Sequence, residues 1–133
     1  MTERSVFGTV GAGFFVDLVD RFYDGVVNDP VLIPLYPDGA DTVHARERLA
    51  MFLAQYWGGP HDYMERRGHP MLRARHNQWT IGARERDRWL VHMLAALEEV
   101  MAGSPLGAEE RDEVHAQLSA YLVNAAEHLR NSV

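Results

Sequence analysis

Apolar side chains return every three or four positions through most of this 133-residue chain, a period that fits helices and not strands. Phe15, Leu18, Val19, Phe22, Tyr23 and Val26 share one face of a first helix, which the Asn28-Asp29-Pro30 turn ends. Residues 31–35 are apolar, but Pro34 and Pro37 hold them to a turn or two. Asp41 or Thr42 can cap the next helix, whose stripe reads Ala45, Leu49, Phe52, Leu53 and Tyr56 before Gly58-Gly59-Pro60. Residues 60–70 are polar and glycine-punctuated, a long loop of the kind that often carries function. Residues 71–77 make one or two turns. A longer helix starts near Ala83, with Trp89, Met93, Leu97 and Val100 on one face, and stops at Gly103-Ser104-Pro105. The last helix runs from near Ala108 to about Asn131 on a stripe of Val114, Leu118, Tyr121, Leu122, Ala125 and Leu129. No segment alternates with the period of a strand, and no repeat or linker interrupts the chain. The expectation is an all-α fold of about five amphipathic helices in a single domain over residues 1–133.

Composition narrows the chemistry. The formal net charge is −6, which argues against nucleic acid and against an anionic membrane surface as partners. Cysteine is absent, so disulfides, iron–sulfur ligation, thiolate-held haem and thiol nucleophiles are excluded. All 13 basic residues are arginine, which removes Schiff-base chemistry and the phosphate-loop lysine. Serine occurs four times, never in a nucleophile-like setting. The Gly11-Ala12-Gly13 run follows no strand and reads as a turn between helices. No apolar run reaches membrane-spanning length, and Glu3-Arg4 is not followed by a signal-peptide core, so a soluble, cytoplasmic protein is expected.

Seven histidines remain as candidate ligands. His44, His92, His115 and His128 lie on long helices and read as solvated surface. His61, His69 and His76 are spaced eight and seven apart, which matches no common zinc arrangement. His76 closes a proline-initiated turn of helix with Leu72 on its face, and Arg73 and Arg75 stand beside it. One reading is a neutral imidazole beneath a flat apolar cofactor, with a guanidinium reaching an acidic edge. The other is a capping histidine among solvated arginines, and spacing alone favours it. Tyr23, Tyr36 and Trp89 each carry a donor that seeks a partner when buried. They are either three ordinary core aromatics or a convergent donor set around a ligand, and spacing does not separate the two.

A family pattern bears on that choice. Arg21-Phe22-Tyr23, Leu35-Tyr36-Pro37, Arg48-Leu49, Met51-Phe52-Leu53, Gln55-Tyr56-Trp57-Gly58-Gly59-Pro60, Arg67-Gly68-His69-Pro70, Leu72-Arg73, Arg75-His76, Glu85-Arg86-Asp87 and Trp89-Leu90 occur in the order and spacing of one family. The chain resembles the group II truncated haemoglobins from about residue 15 to 125. The resemblance implies a two-over-two helical sandwich around one haem b, with His76 as proximal iron ligand. It implies a distal site of Tyr23, Tyr36 and Trp89, with Ala45 where other globins often carry histidine and Leu49 one turn on. Arg48 and Arg75 match positions that reach haem propionates. Phe22, Phe52, Leu53, Leu72, Ile81 and Met93 match porphyrin-lining positions. Two features depart from the family: the glycine pair before the second helix is split, and Gln78-Trp79 replaces a more usual Pro-Phe.

The implied function is reversible binding of O2, CO or NO at an open distal site, for oxygen binding or transport. Uncharged donors stabilise a ligand that gathers negative charge by roughly 0.5–1.5 kcal/mol each. The alternatives are a haem enzyme, with nitric oxide dioxygenase or weak peroxidase activity, and a cofactor-free helical interaction module. A second copy of the chain and a reductase of unknown identity are the candidate protein partners.

Overall fold

The computed structural model describes residues 5–36, 41–59 and 81–130. All the regular structure among them is helical: α1 (Val6–Val10), α2 (Ala12–Val26), a 3₁₀ turn (Ile33–Leu35), α3 (Val43–Tyr56), α4 (Ala83–Ala102) and α5 (Ala108–His128). The expected loop at 60–70, the short helix at 71–77 and the end of the chain lie outside the described residues.

The sandwich is built on α2. Its apolar face is fully enclosed: Phe14, Phe15, Leu18, Val19, Phe22, Tyr23 and Val26 are all buried. This helix packs against both α3 and α4, and α4 packs against α5. Two helix pairs, α2 with α3 and α4 with α5, are thus joined by the α2–α4 contact. Met93, Ala96, Leu97, Val100 and Met101 complete the core from α4, and Val114, Leu118, Leu122 and Ala126 from α5. Each large side chain enclosed this way contributes about 1.5–3 kcal/mol. Helix α3 is less completely covered: Phe52 and Leu53 are buried, whereas Ala45 and Leu49 remain partly open.

Local chemistry sets the ends. The Ser5 hydroxyl accepts from Gly8 N at 3.0 Å and starts α1. The Glu85 carboxylate accepts from Gly82 N at 2.9 Å and starts α4. Phe7 N donates to Trp57 O at 3.0 Å, so α1 is tied to the end of α3. That close approach needs Gly58, whose φ is 107° and where a Cβ would lie 2.6 Å from the Ser5 Cβ. Thr42 occupies the start of α3 without capping it. Its hydroxyl instead accepts from Arg46 Nε at 2.8 Å.

Other differences from the sequence expectation have simple causes. Helix α2 begins at Ala12, before the first residue of its stripe, and α5 ends at His128. Tyr56 falls on the apolar stripe of α3 by spacing but is 55% exposed. Its ring finds apolar cover on Tyr121 of α5, stacked at 4.3 Å between centroids, while the rest stays in solvent. No helix among the described residues is long and apolar enough to cross a membrane.

Candidate functional site

Tyr23, Tyr36 and Trp89 come together although three separate elements carry them. Tyr23 is on the buried face of α2, Tyr36 follows the 3₁₀ turn, and Trp89 stands in the second turn of α4. Phe22 lies between the two helices, with its ring 4.9 Å from Tyr23 and 5.3 Å from Trp89, both edge to face. Tyr23 and Tyr36 meet edge to face at 5.5 Å.

The three polar ends form one hydrogen-bonded series. Trp89 bonds Tyr36, and Tyr36 bonds Tyr23. An indole N–H can only donate, so Tyr36 accepts from Trp89. The Tyr36–Tyr23 interaction makes ionisation harder for Tyr36 and easier for Tyr23. Burial pushes the Tyr23 phenol up to about 12, against the opposing pull of that bond, Arg48 and Arg46. Burial, and then the neighbouring Tyr23, raise the Tyr36 phenol well above its ordinary value. Both phenols therefore stay protonated at neutral pH.

The remaining expected site residues differ in how far they are covered. Phe22 and Met93 are fully enclosed, and Phe52, Leu53 and Ile81 nearly so. Ala45, Leu49 and Trp89 are partly covered and pack on the core. Arg48 is half-buried on α3 and acts on Tyr23 electrostatically. His76, Leu72 and Arg75 lie outside the described residues. A set of uncharged donors beside partly open apolar residues of α3 has the chemistry a haem pocket needs on its ligand side.

Two polar centres escaped the sequence reading. Arg46 joins α3 to α2: its guanidinium donates to Asp20 O at 2.9 Å and to Asp24 Oδ1 at 3.0 Å, and sits 5.7 Å from the centre of the Tyr23 ring. The second is Asp29, only 2% exposed. Its Oδ1 accepts from Val31 N at 2.8 Å, and its Oδ2 from Arg88 Nε at 2.9 Å and meets His92 Nε2 at 2.7 Å. His92 is therefore no solvated surface residue. It sits three residues after Trp89 and four before Ala96, at the edge of the buried stripe, and that spacing was the available signal. Glycine at position 25 lets it in, since a Cβ there would overlap the His92 ring.

Burial alone would raise the Asp29 carboxyl, but the bonds to His92, Val31 N and Arg88 outweigh it and hold the group at about 2. A depressed carboxyl stabilises the fold fully above its ordinary 3.8, and that contribution is lost as pH falls towards 2. It corresponds to about 2 kcal/mol. Urea unfolding between pH 2 and 5 should show this slope, and Asp29→Asn should flatten it; equal slopes would remove Asp29 as its source.

Comparison with known proteins agrees with this architecture. The bacterial-like globin family model matches residues 5–124. A group 2 truncated haemoglobin of Bacillus subtilis, YjbI, is 41% identical over 91 residues, which are 68% of this chain and 67% of that protein. The crystal structure of a thermostable haemoglobin from the actinobacterium Thermobifida fusca superposes with a TM-score of 0.85 at 48% identity, covering 96% of this chain and 98% of that one. The group II truncated haemoglobin of Bacillus anthracis superposes with a TM-score of 0.85 at 32% identity, covering 99% of this chain and 95% of that one. With the helical sandwich and the motif series in agreement, this chain belongs to the bacterial-like globins, among the group II truncated haemoglobins.

Proposed function

We propose that this chain is a single-domain haem b globin that reversibly binds a diatomic gas, O2 foremost and CO or NO as alternatives, at a site made by Tyr23, Tyr36 and Trp89. The observation that supports it is the uncharged series from the partly covered Trp89 and Tyr36 to the buried Tyr23. Membership of the globins implies a haem cofactor. We assign His76 to its iron and Arg48 and Arg75 to its propionates. Phe22, Phe52, Leu53, Leu72, Ile81 and Met93 are assigned to the lining of the porphyrin. When bound, haem supplies an iron centre with one side open to a gas.

The chain's own residues do the rest. Trp89 donates to Tyr36 and so keeps the Tyr36 proton turned towards Tyr23. Tyr23 accepts that proton's bond, and its own hydroxyl proton is left for a guest carrying partial negative charge. Polarisation along such a series strengthens the last donor. Ala45 and Leu49 offer no group that can ligate iron, which leaves the gas side without a competing imidazole. Because both phenols hold their protons, the site offers donors and no strong base, which favours binding over vigorous peroxidase chemistry.

The first test is the absorption spectrum of the reduced protein with and without carbon monoxide. A Soret band that shifts with the gas supports the reading, and no Soret band after haem addition ends it. Trp89→Phe should speed O2 dissociation about fivefold or more, because releasing Tyr36 weakens the Tyr23 donor by about the worth of one hydrogen bond. An unchanged rate in stopped-flow measurements would count against the donor role.

A further inference from the structure

The gas site is described by its three donors, but something must hold Trp89 and Tyr36 in register. Trp89 belongs to α4, whereas Tyr36 lies in the connection that follows α2. Asp29 is where those two segments are joined. Its backbone N donates to Val26 O at 2.9 Å, and its backbone O accepts from Ile33 N at 3.0 Å. Ile33 O in turn accepts from Tyr36 N at 3.1 Å. On the other side, the Asp29 carboxylate binds Arg88, which adjoins Trp89, and His92, which lies one turn beyond it.

We propose that Asp29, held by Arg88 and His92, is a positioning clamp that sets the Trp89–Tyr36 hydrogen bond and thereby the donor strength of the gas site. This rests on the functional reading above. Three features argue for positioning rather than bulk stability. First, an ion pair on a buried carboxylate is a poor source of stability compared with apolar packing, but its directional bonds fix one register. Apolar side chains could press the connection against α4, yet would allow it to slide. Second, each bond of the carboxylate has a specified donor, and both oxygens are used. Third, glycine at position 25 opens α2 to the His92 ring, so the approach of α4 is shaped around this one side chain. A helix interior tolerates glycine at a cost, which is consistent with a geometric need there.

The test uses the haem-loaded, reduced protein with carbon monoxide bound, a diamagnetic state. Two signals are read: the infrared stretch of the bound gas, and the hydrogen exchange of the Trp89 indole N–H by NMR. In His92→Leu the indole N–H should lose protection, and the gas stretch should move to higher frequency. In the oxygenated protein, O2 dissociation should rise about fivefold. His92→Gln, whose amide N–H can replace the ring Nε2–H, should restore all three. Asp29→Asn keeps the shape but presents a donor to donors, and should behave as His92→Leu does. If His92→Leu does not fold, Arg88→Ala, at a half-exposed side chain, gives the same test in milder form.

Trp89→Phe is the control that separates the two claims. If it moves the gas stretch while folded His92→Leu leaves both signals unchanged, the clamp is refuted and the gas site stands. If Trp89→Phe also leaves the stretch unchanged, the gas-site reading fails, and the indole exchange alone judges the clamp. If His92→Gln is as disturbed as His92→Leu, ring packing and not the hydrogen bond sets the register, and the proposal is overturned.

Discussion

A His76→Ala variant is expected to be purified without its haem, showing no Soret band at equal protein concentration, and to recover the band when imidazole is added to the buffer. If His76 is the ligand, the added imidazole would replace the missing ring at the metal. The assignment of His76 rests on the family resemblance, and four other histidines are accounted for otherwise. Of the seven histidines, His44 and His128 are exposed, and His92 and His115 have their Nε2 atoms against carboxylates, 2.7 Å from Asp29 and 2.6 Å from Glu98. Only His61, His69 and His76 lie elsewhere, and the first two fall in a stretch whose composition is that of a loop. Retention of haem with an ordinary ferrous spectrum in His76→Ala would shift the ligand to one of those two.

The largest loss of stability is expected from Phe22→Ala, about 3–5 kcal/mol. Phe22 has no exposed surface, and its ring is the apolar spacer between Tyr23 and Trp89. Removing it forfeits the transfer energy of the ring and leaves a cavity that three packed elements cannot easily close. Small domains hold only about 5–15 kcal/mol in total, so the variant should unfold at markedly lower urea and temperature. A loss below about 2 kcal/mol would mean that the site collapses on itself. The same change should loosen the donor series, since both neighbours lose the face they lean on. Stability and gas dissociation are thus expected to move together in Phe22→Ala. In Trp89→Phe, which keeps an aromatic ring, dissociation should change more than stability.

Much of this molecule was legible in the order of its residues. The 3.6-residue return of Leu18, Phe22 and Val26, or of Met93, Leu97 and Val100, is a property of each helix by itself, so it can be read without knowing what the helix touches. Gly58 and Gly103 mark helix ends for the same local reason. The motif series from Arg21-Phe22-Tyr23 to Trp89-Leu90 supplied the family, and with it the expectation that Tyr23, Tyr36 and Trp89 meet. Spacing left open whether they meet at all. It also misread His92 and Tyr56, because a helical wheel shows which side chains share a face but not where a neighbouring element crosses it.

What tertiary structure alone decided is the polar wiring. Asp29 finds Arg88 and His92 across 59 and 63 residues of chain, and Arg46 finds Asp20 across 26. Apolar contact is tolerant of angle and partner, so its pattern survives in a linear string. A hydrogen bond needs two particular atoms within about 3 Å and aligned, and only the crossing of α2, α3, α4 and the connection after α2 brings those atoms together.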